Sequence, residues 1–302
     1  MRLSATTVQP RQPHTLVLPR GRTLQLDRPV PLVMGVLNVT PDSFSDGGRW
    51  VESDAAIAHG LAVLEQGADV LDIGAESTRP GGGVYGDGAR EVSSSEELDR
   101  LLPVLEGLRA TTDAPLSVDT RKAAVAEAAL AAGADVINDI SALSDPGLGV
   151  AVADAGCPII LMHSRGALAT MQTGIGFNDV VAEVSAELAQ AVARAMACGV
   201  EARQIVVDPG IGFGKTTQQN LDLLRNVRLL RSVSPLLVGA SRKSFIGDVT
   251  SAPVDQRLPG SLAAVGWAAC GGASLVRVHD VAETVQYLAV WKEIDAAGRE
   301  CS

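Results

Sequence analysis

Eight short apolar runs recur along this chain, each ending at a polar or compact residue and each followed by a helix-like stretch. They span 32–37, 70–73, 116–118, 136–140, 159–162, 205–207, 236–238 and 275–278. Runs of this length, rich in Val, Ile and Leu, read as buried parallel strands; the Ala-, Leu- and Glu-rich stretches 55–66, 123–132 and 180–196 have helical spacing. Parallel neighbours need a crossover, so the chain is confined to repeated strand–helix units. Residues 66–74 and 131–140 write the same helix end, turn and strand twice, and Gly67, Gly133, Gly156, Gly199 and Gly272 stand where helix termini favour glycine. Eight units suit an α/β protein built as a closed (β/α)8 TIM barrel, although strand counting alone leaves a doubly wound open sheet as the rival.

The rhythm leaves no linker, so one domain is expected over 31–298. Residues 1–30 form a separate extension: Thr15-Leu16-Val17-Leu18 and Thr23-Leu24-Gln25-Leu26 alternate around Gly21 and predict a β-hairpin capping the lower end of the barrel. With 46% hydrophobic but 3% aromatic residues, the core must be made of Val, Leu, Ile and Ala. The net charge of -10 argues against a nucleic-acid surface and implies that an anionic ligand is caught by a few local cations. Cys157, Cys198, Cys270 and Cys301 are far apart with no Cys-x-x-Cys pair, as reduced thiols would be. No run is long enough for a signal core or a membrane span, so a cytoplasmic protein is expected.

Barrel strands deliver their C-terminal residues to one mouth. Those residues include Asn38, Asp119, Asn138, Asp208 and His279. The segment from Asp208 through Gly214-Lys215-Thr216 imitates a nucleotide loop, but Pro209 stands where the Walker pattern needs glycine and Lys215 where the Rossmann pattern needs one. What remains is a strand-end carboxylate on a tight turn. Asp119, Asn138, Asp208 and Lys243 together offer two acceptors, an amide and a cation, a set that matches a flat heterocycle with an amide-like edge. The plain alternative is that each caps its own helix.

Arg277 and His279 alternate, so both face one side of the eighth strand and suit an anion. Asn38 could give Mg2+ one neutral oxygen beside phosphate and water. The turn 239–245 brings Ser244 and backbone N–H groups to a helix start, a second place for a carboxylate or phosphate. Two long Gly-rich loops, 40–50 and 77–95, follow the first two strands as binding loops would.

Taken in order, residues 34–48, 76–81, 117–120, 138–140, 208–217, 239–247 and 277–280 resemble the dihydropteroate synthases of folate biosynthesis. The resemblance implies condensation of (7,8-dihydropterin-6-yl)methyl diphosphate with 4-aminobenzoate in the presence of Mg2+. It implies a pterin site of Asp119, Asn138, Asp208, Lys243, Met162, Phe213 and Gly239, with Arg277 stacked on the ring. Phe44, Thr78, Arg79, Pro80 and Ser244 would receive aminobenzoate, and Asn38, Arg79, Arg277 and His279 the diphosphate, Asn38 also meeting the metal. Asp46 in the closing loop, Asp119 and Lys243 would carry the chemistry. A homodimer through the smooth helical stretches 261–271 and 281–294, and competition by sulfonamides, are implied as well.

Three features depart from the family pattern: Ala75 in place of a second glycine, Ser164 after His163, and an apparent insertion at 81–88. The insertion bears on aminobenzoate and sulfonamide affinity. A pterin-binding methyltransferase domain and a catalytically silent pterin-binding paralogue are the competing readings.

Overall fold

Alternation along each strand sorts its side chains into an inner and an outer set, and that sorting positions everything else. The structure is a computed structural model and describes residues 14–40, 48–76, 92–166, 171 and 173–300. A hairpin, β1 (Thr15–Val17) and β2 (Thr23–Gln25), comes first. The barrel strands are β3 (Leu32–Asn38), β4 (Val70–Gly74), β5 (Leu116–Asp119), β6 (Val136–Asp139), β7 (Ile159–Met162), β8 (Ile205–Asp208), β9 (Leu237–Val238) and β10 (Leu275–Val278). All pair in parallel, in the order β8-β7-β6-β5-β4-β3-β10-β9, and a parallel bridge from Val207 to Leu236 joins the two ends. The barrel is therefore closed, and the open-sheet alternative is set aside.

Each strand lies within two residues of its apolar run. The seventh is shortest, because Pro235 can offer only its carbonyl, which accepts from Val207 N–H at 2.9 Å.

The outer set, including Leu37, Leu71, Ile73, Val118, Ile137, Leu161, Val207 and Val276, packs against the surrounding helices. These are α1 (Gly48–Glu65), α2 (Ser94–Thr111), α3 (Ala123–Ala132), α4 (Pro146–Ala155), α5 (Val180–Ala197), α6 (Thr217–Arg225), α7 (Val227–Leu230), α8 (Ser244–Thr250), α9 (Leu258–Gly271) and α10 (Val281–Glu300). Gly133, Gly156 and Gly272 cap α3, α4 and α9 in left-handed conformations, as the sequence pattern requires. No helix among the described residues is long and apolar enough to cross a membrane.

The inner set is split by height. Its lower layer is apolar, formed by Leu32, Met34, Val70, Val136, Ile160, Val206, Leu237 and Leu275. Leu16, Leu18, Leu24 and Leu26 of the hairpin pack into this layer from below. Burying each leucine stabilises the fold by roughly 1.5–3 kcal/mol. Gln204, just before β8, fastens this plug: its amide donates to Val17 O at 2.6 Å and accepts from Val17 N–H at 3.0 Å.

Candidate active site

One pleat above the apolar layer, the same inward parity brings up Asp72, Ser117, Asp119, Asn138, Met162, Asp208 and Arg277. Asn38, Gly74, Asp119 and Asn138 are successive register partners across β3 to β6, and Met162 pairs with Asp208 across β7 and β8. Period-two geometry thus turns the apolar layer polar within one step on β4, β6, β8 and β10, while β7 offers Met162 at that height. Asp139, of opposite parity, faces away and binds its own turn through the Ser141 and Leu143 N–H groups.

Arg277 is the hub. Its Nε donates to Asp72 Oδ2 at 2.6 Å and its Nη2 to Asp119 Oδ2 at 3.0 Å, while Asn138 Nδ2 donates to Asp72 Oδ2 at 3.0 Å. Burial works against the Arg277 charge, but Asp72 and Asp119 outweigh it and raise its pKa. Asp72 Oδ1, Asp119 Oδ1 and the Ser117 hydroxyl are buried with no hydrogen-bond partner. An orphaned buried group costs about 1–3 kcal/mol, so three close together mark a place built for something else. Burial pushes the Asp119 carboxyl up to about 7, against the pull of Arg277 and with help from Asp72.

Asp208 faces this group from β8. Its Oδ1 accepts from Gly210 N–H at 2.7 Å, and burial raises its pKa against the opposing pull of that bond and of Lys243. Lys243, beside α8, donates to Ile211 O at 2.5 Å and stands 4.2 Å from the centre of the Phe213 ring. Burial lowers its pKa to about 8, although Asp208 holds it up. Gly239 leaves open the gap between Asp208 and Arg277, where a Cβ would stand 3.7 Å from Asp208 Oδ2 and 3.8 Å from Arg277 Cβ. Ile140, Met162, Met171 and Phe213 form a small apolar cluster apart from the main core. The mouth therefore combines an apolar wall with an acceptor–donor rim.

The anion set is looser. Asn38 ends β3 exposed, and its Oδ1 and Asp119 Oδ2 lie 3.9 and 3.8 Å from where a Gly74 Cβ would be. β10 ends at Val278, so His279 follows the strand; its Nδ1 lies 3.1 Å from Ser241 Oγ. His279 is exposed as a residue, yet the protein packed around its ring, then Arg277 and Arg242, pull its pKa down to about 4. Arg242 stands at φ 58 and pairs with Asp280, which sets the turn between Ser241 and Lys243. Ser244 is half-buried as the first residue of α8.

Phe44, Asp46, Thr78, Arg79 and Pro80 lie outside the described residues. Glu76 and Val92, on either side of 77–91, are tied together: Val92 N–H donates to Glu76 Oε1 at 3.1 Å, and Arg121 and Lys122 also bind Glu76, at 3.2 and 3.1 Å. Ala75 is buried with its carbonyl accepting from Arg100, and Ser164 donates to Ile140 O, so both departures are accommodated in the scaffold.

Sequence reasoning missed Asp72. The signal was present, since a charged residue inside an apolar strand run must either pair or serve a site. It also missed Ile140 and Met171, which nothing but the folded geometry brings beside Phe213.

The family model described as pterin binding enzyme matches residues 34–279. Dihydropteroate synthase of Escherichia coli is 44% identical over 272 residues, covering 90% of this chain and 93% of that protein. The structure of Xanthomonas albilineans dihydropteroate synthase with 4-aminobenzoic acid superposes with a TM-score of 0.86 at 48% identity, over 94% of this chain and 99% of that one. Yersinia pestis dihydropteroate synthase in complex with a sulfonamide drug superposes with a TM-score of 0.85 at 44% identity, over the same shares. With a closed barrel, a polar mouth above an apolar plug and matches spanning nearly its whole length, the chain belongs to the pterin-binding enzyme family, among its dihydropteroate synthases.

Proposed function

We propose that this chain condenses (7,8-dihydropterin-6-yl)methyl diphosphate with 4-aminobenzoate, giving 7,8-dihydropteroate and diphosphate in folate biosynthesis. The observation that carries this reading is the buried, under-bonded mouth: Asp119 with an unpartnered oxygen, beside Asn138, Asp208 and Lys243, next to an apolar wall. A dihydropterin has adjacent N–H groups for a carboxylate, a mixed edge for an amide and ring atoms for an ammonium. Its flat face suits Met162 and Phe213. Arg277, bonded through Nε and Nη2 to two carboxylates, would cover the ring.

In the reaction the bond between the exocyclic carbon and the diphosphate oxygen breaks, and its electron pair leaves with diphosphate. Positive charge grows on that carbon, where the pterin ring delocalises it and the Asp119 carboxylate stabilises it. The aniline nitrogen forms the new C–N bond and then loses a proton to the departing diphosphate or to solvent, with no covalent enzyme intermediate. Arg277 and His279, with Asn38 and Arg79, serve the departing anion; Phe44, Thr78, Arg79, Pro80 and Ser244 receive the aminobenzoate, and the two long loops, with Asp46 in the first, exclude water.

Among the described residues no group of three or more His, Cys, Asp or Glu could hold a metal by itself. An exposed amide oxygen beside a carboxylate nevertheless fits an ion that takes most of its ligands from phosphate and water, so Asn38 would meet Mg2+ there. When bound, the ion would neutralise the leaving diphosphate. A homodimer fits the exposed Trp267, Val290 and Ile294 on α9 and α10, and light scattering tests it. Competitive inhibition by sulfonamides against 4-aminobenzoate is expected from steady-state kinetics.

Diphosphate release on mixing both substrates with Mg2+ tests the central reading. Release dependent on 4-aminobenzoate supports it. Methyl transfer without release would favour the methyltransferase reading, and binding of pterin with no turnover would favour a silent paralogue.

A further inference from the structure

The proposed reaction leaves one sequence motif without a role: the Gly210, Gly212, Gly214 and Lys215 series that imitates a phosphate loop. A phosphate loop turns backbone N–H groups inward on an anion. This loop does the reverse and turns carbonyls inward on its own cation. Lys215 is 3% exposed, and its Nζ lies 2.9 Å from Phe213 O, 3.0 Å from Gly210 O and 3.0 Å from His163 Nδ1, with His163 O farther off at 3.4 Å. Three close acceptors meet the three N–H bonds of an ammonium.

His163 completes the seat. With Nδ1 accepting, Nε2 carries the proton and donates to Glu187 Oε2 at 2.9 Å; Glu187 is held in turn by Arg165. Burial, and then Lys215 itself, push the imidazole down to about 4, which keeps it neutral and able to accept. The path is tight: a Cβ at Gly210 would stand 1.9 Å from His163 O, and one at Gly212 would stand 2.8 Å from Lys243 Cδ. Both residues have positive φ, so glycine is required on two grounds.

The loop so held has its other side in the mouth. Gly210 N–H fixes Asp208, Ile211 O accepts from Lys243, and the Phe213 ring lies beneath the Lys243 ammonium. Gly212 N–H is secured separately by Asn220 Oδ1 at 2.7 Å. We propose that Lys215 is a positioning residue for the pterin pocket: seated on Gly210, Phe213 and His163, its ammonium fixes the loop that aims Asp208 and Lys243. The proposal rests on the dihydropteroate synthase reading, since it presumes that those two residues hold a pterin. Besides His163, the charged groups facing Lys215 are Asp208, Lys243, Arg165 and Glu187.

Lys215→Met keeps the aliphatic stem and removes the charge and all three donors. Calorimetric binding of the pterin diphosphate, KM for both substrates and thermal melting are measured beside the wild type. A folded Lys215→Met is expected to bind the pterin at least tenfold more weakly, with KM for 4-aminobenzoate within threefold. Should Lys215→Met not fold, His163 reports instead. His163→Asn keeps an acceptor near the Nδ1 position and is expected to retain pterin affinity within threefold, whereas His163→Leu loses at least tenfold. Pterin affinity within twofold of wild type in folded Lys215→Met, an equal loss for both substrates, or like behaviour of His163→Asn and His163→Leu would overturn the proposal. A wild type that releases no diphosphate would instead sink the reaction it rests on.

Discussion

The barrel holds buried carboxylates at both ends, and they are treated in opposite ways. At the lower end Asp135, with its side chain wholly buried, accepts from Arg20 and Arg109 at 2.6 Å each, from Arg22 at 3.5 Å and from Leu116 N–H at 3.0 Å. Burial, opposed by Asp135 and reinforced by the neighbouring Arg20 and Arg22, lowers the Arg109 pKa. At the mouth Asp72 and Asp119 share one guanidinium and each keeps an oxygen without a partner. The lower carboxylate is saturated by the protein and clamps the N-terminal hairpin to the barrel. The upper pair is left short, as a site that must exchange partners has to be. A buried charge alone does not mark a binding site; a buried charge with spare valence does.

The difference is broken most severely from below. Asp135→Asn leaves three clustered guanidinium groups without their counter-charge, and loss of a buried partner of this kind costs about 3–5 kcal/mol. The melting temperature is expected to fall by roughly 10 °C. Diphosphate release per folded molecule at low temperature should match the wild type. Equal melting of the two proteins would mean that Asp135 is not the clamp.

At the mouth the sign reverses. Asp208→Ala removes charged hydrogen bonds worth roughly 1.5–3 kcal/mol each, so pterin diphosphate binding should weaken at least a hundredfold, while melting shifts by no more than about 2 °C. Unchanged affinity by calorimetry would remove Asp208 from the pterin set. Asp119→Asn sharpens the contrast further. The folded carboxyl titrates near 7, above its ordinary 3.8, so the folded state binds more protons than the unfolded one between those values. Its stabilising contribution is therefore lost as pH rises through that window. At pH 8 Asp119→Asn should melt no lower than wild type while losing turnover, and a clear drop in melting temperature would show that Asp119 holds the fold together.

How legible this was follows from the same geometry. Inward parity is a property of sequence, so the aligned runs alone put Asp119, Asn138, Asp208 and Arg277 in one layer. Asp72 obeys the same parity and was passed over because it sits inside an apolar run. The hairpin was readable from Leu16, Leu18, Leu24 and Leu26, but its latch through Arg20 and Asp135 joins residues 115 apart in sequence. Lys215 carried a misleading local signal: its neighbours spell an anion loop, and only the positive φ of Gly210 and Gly212 shows which way the carbonyls turn. Long-range pairing and backbone handedness are what a pattern of residue types does not contain.

The smallest expected effect joins these groups in one titration. On the proposed reading the pterin is held by Asp119 and Asp208 as carboxylates and by Lys243 as an ammonium, whereas the mouth holds Asp119 up at about 7 and Lys243 down at about 8. Affinity should therefore fall below pH 7 as Asp119 takes up a proton and above pH 8 as Lys243 loses one, by up to about tenfold per unit. Lys215, lowered by burial to about 7, loses its charge first, so the alkaline limb should begin near pH 7 and steepen as Lys243 titrates. Near neutral pH the bound ligand stabilises both charged forms, so binding releases a proton from Asp119 and takes one up at Lys243. Calorimetry in buffers of differing ionisation enthalpy should show net release below the optimum and net uptake above it. In Asp119→Asn the acid limb should vanish with the alkaline limb kept; an acid limb that survives would place the controlling carboxylate elsewhere in the mouth.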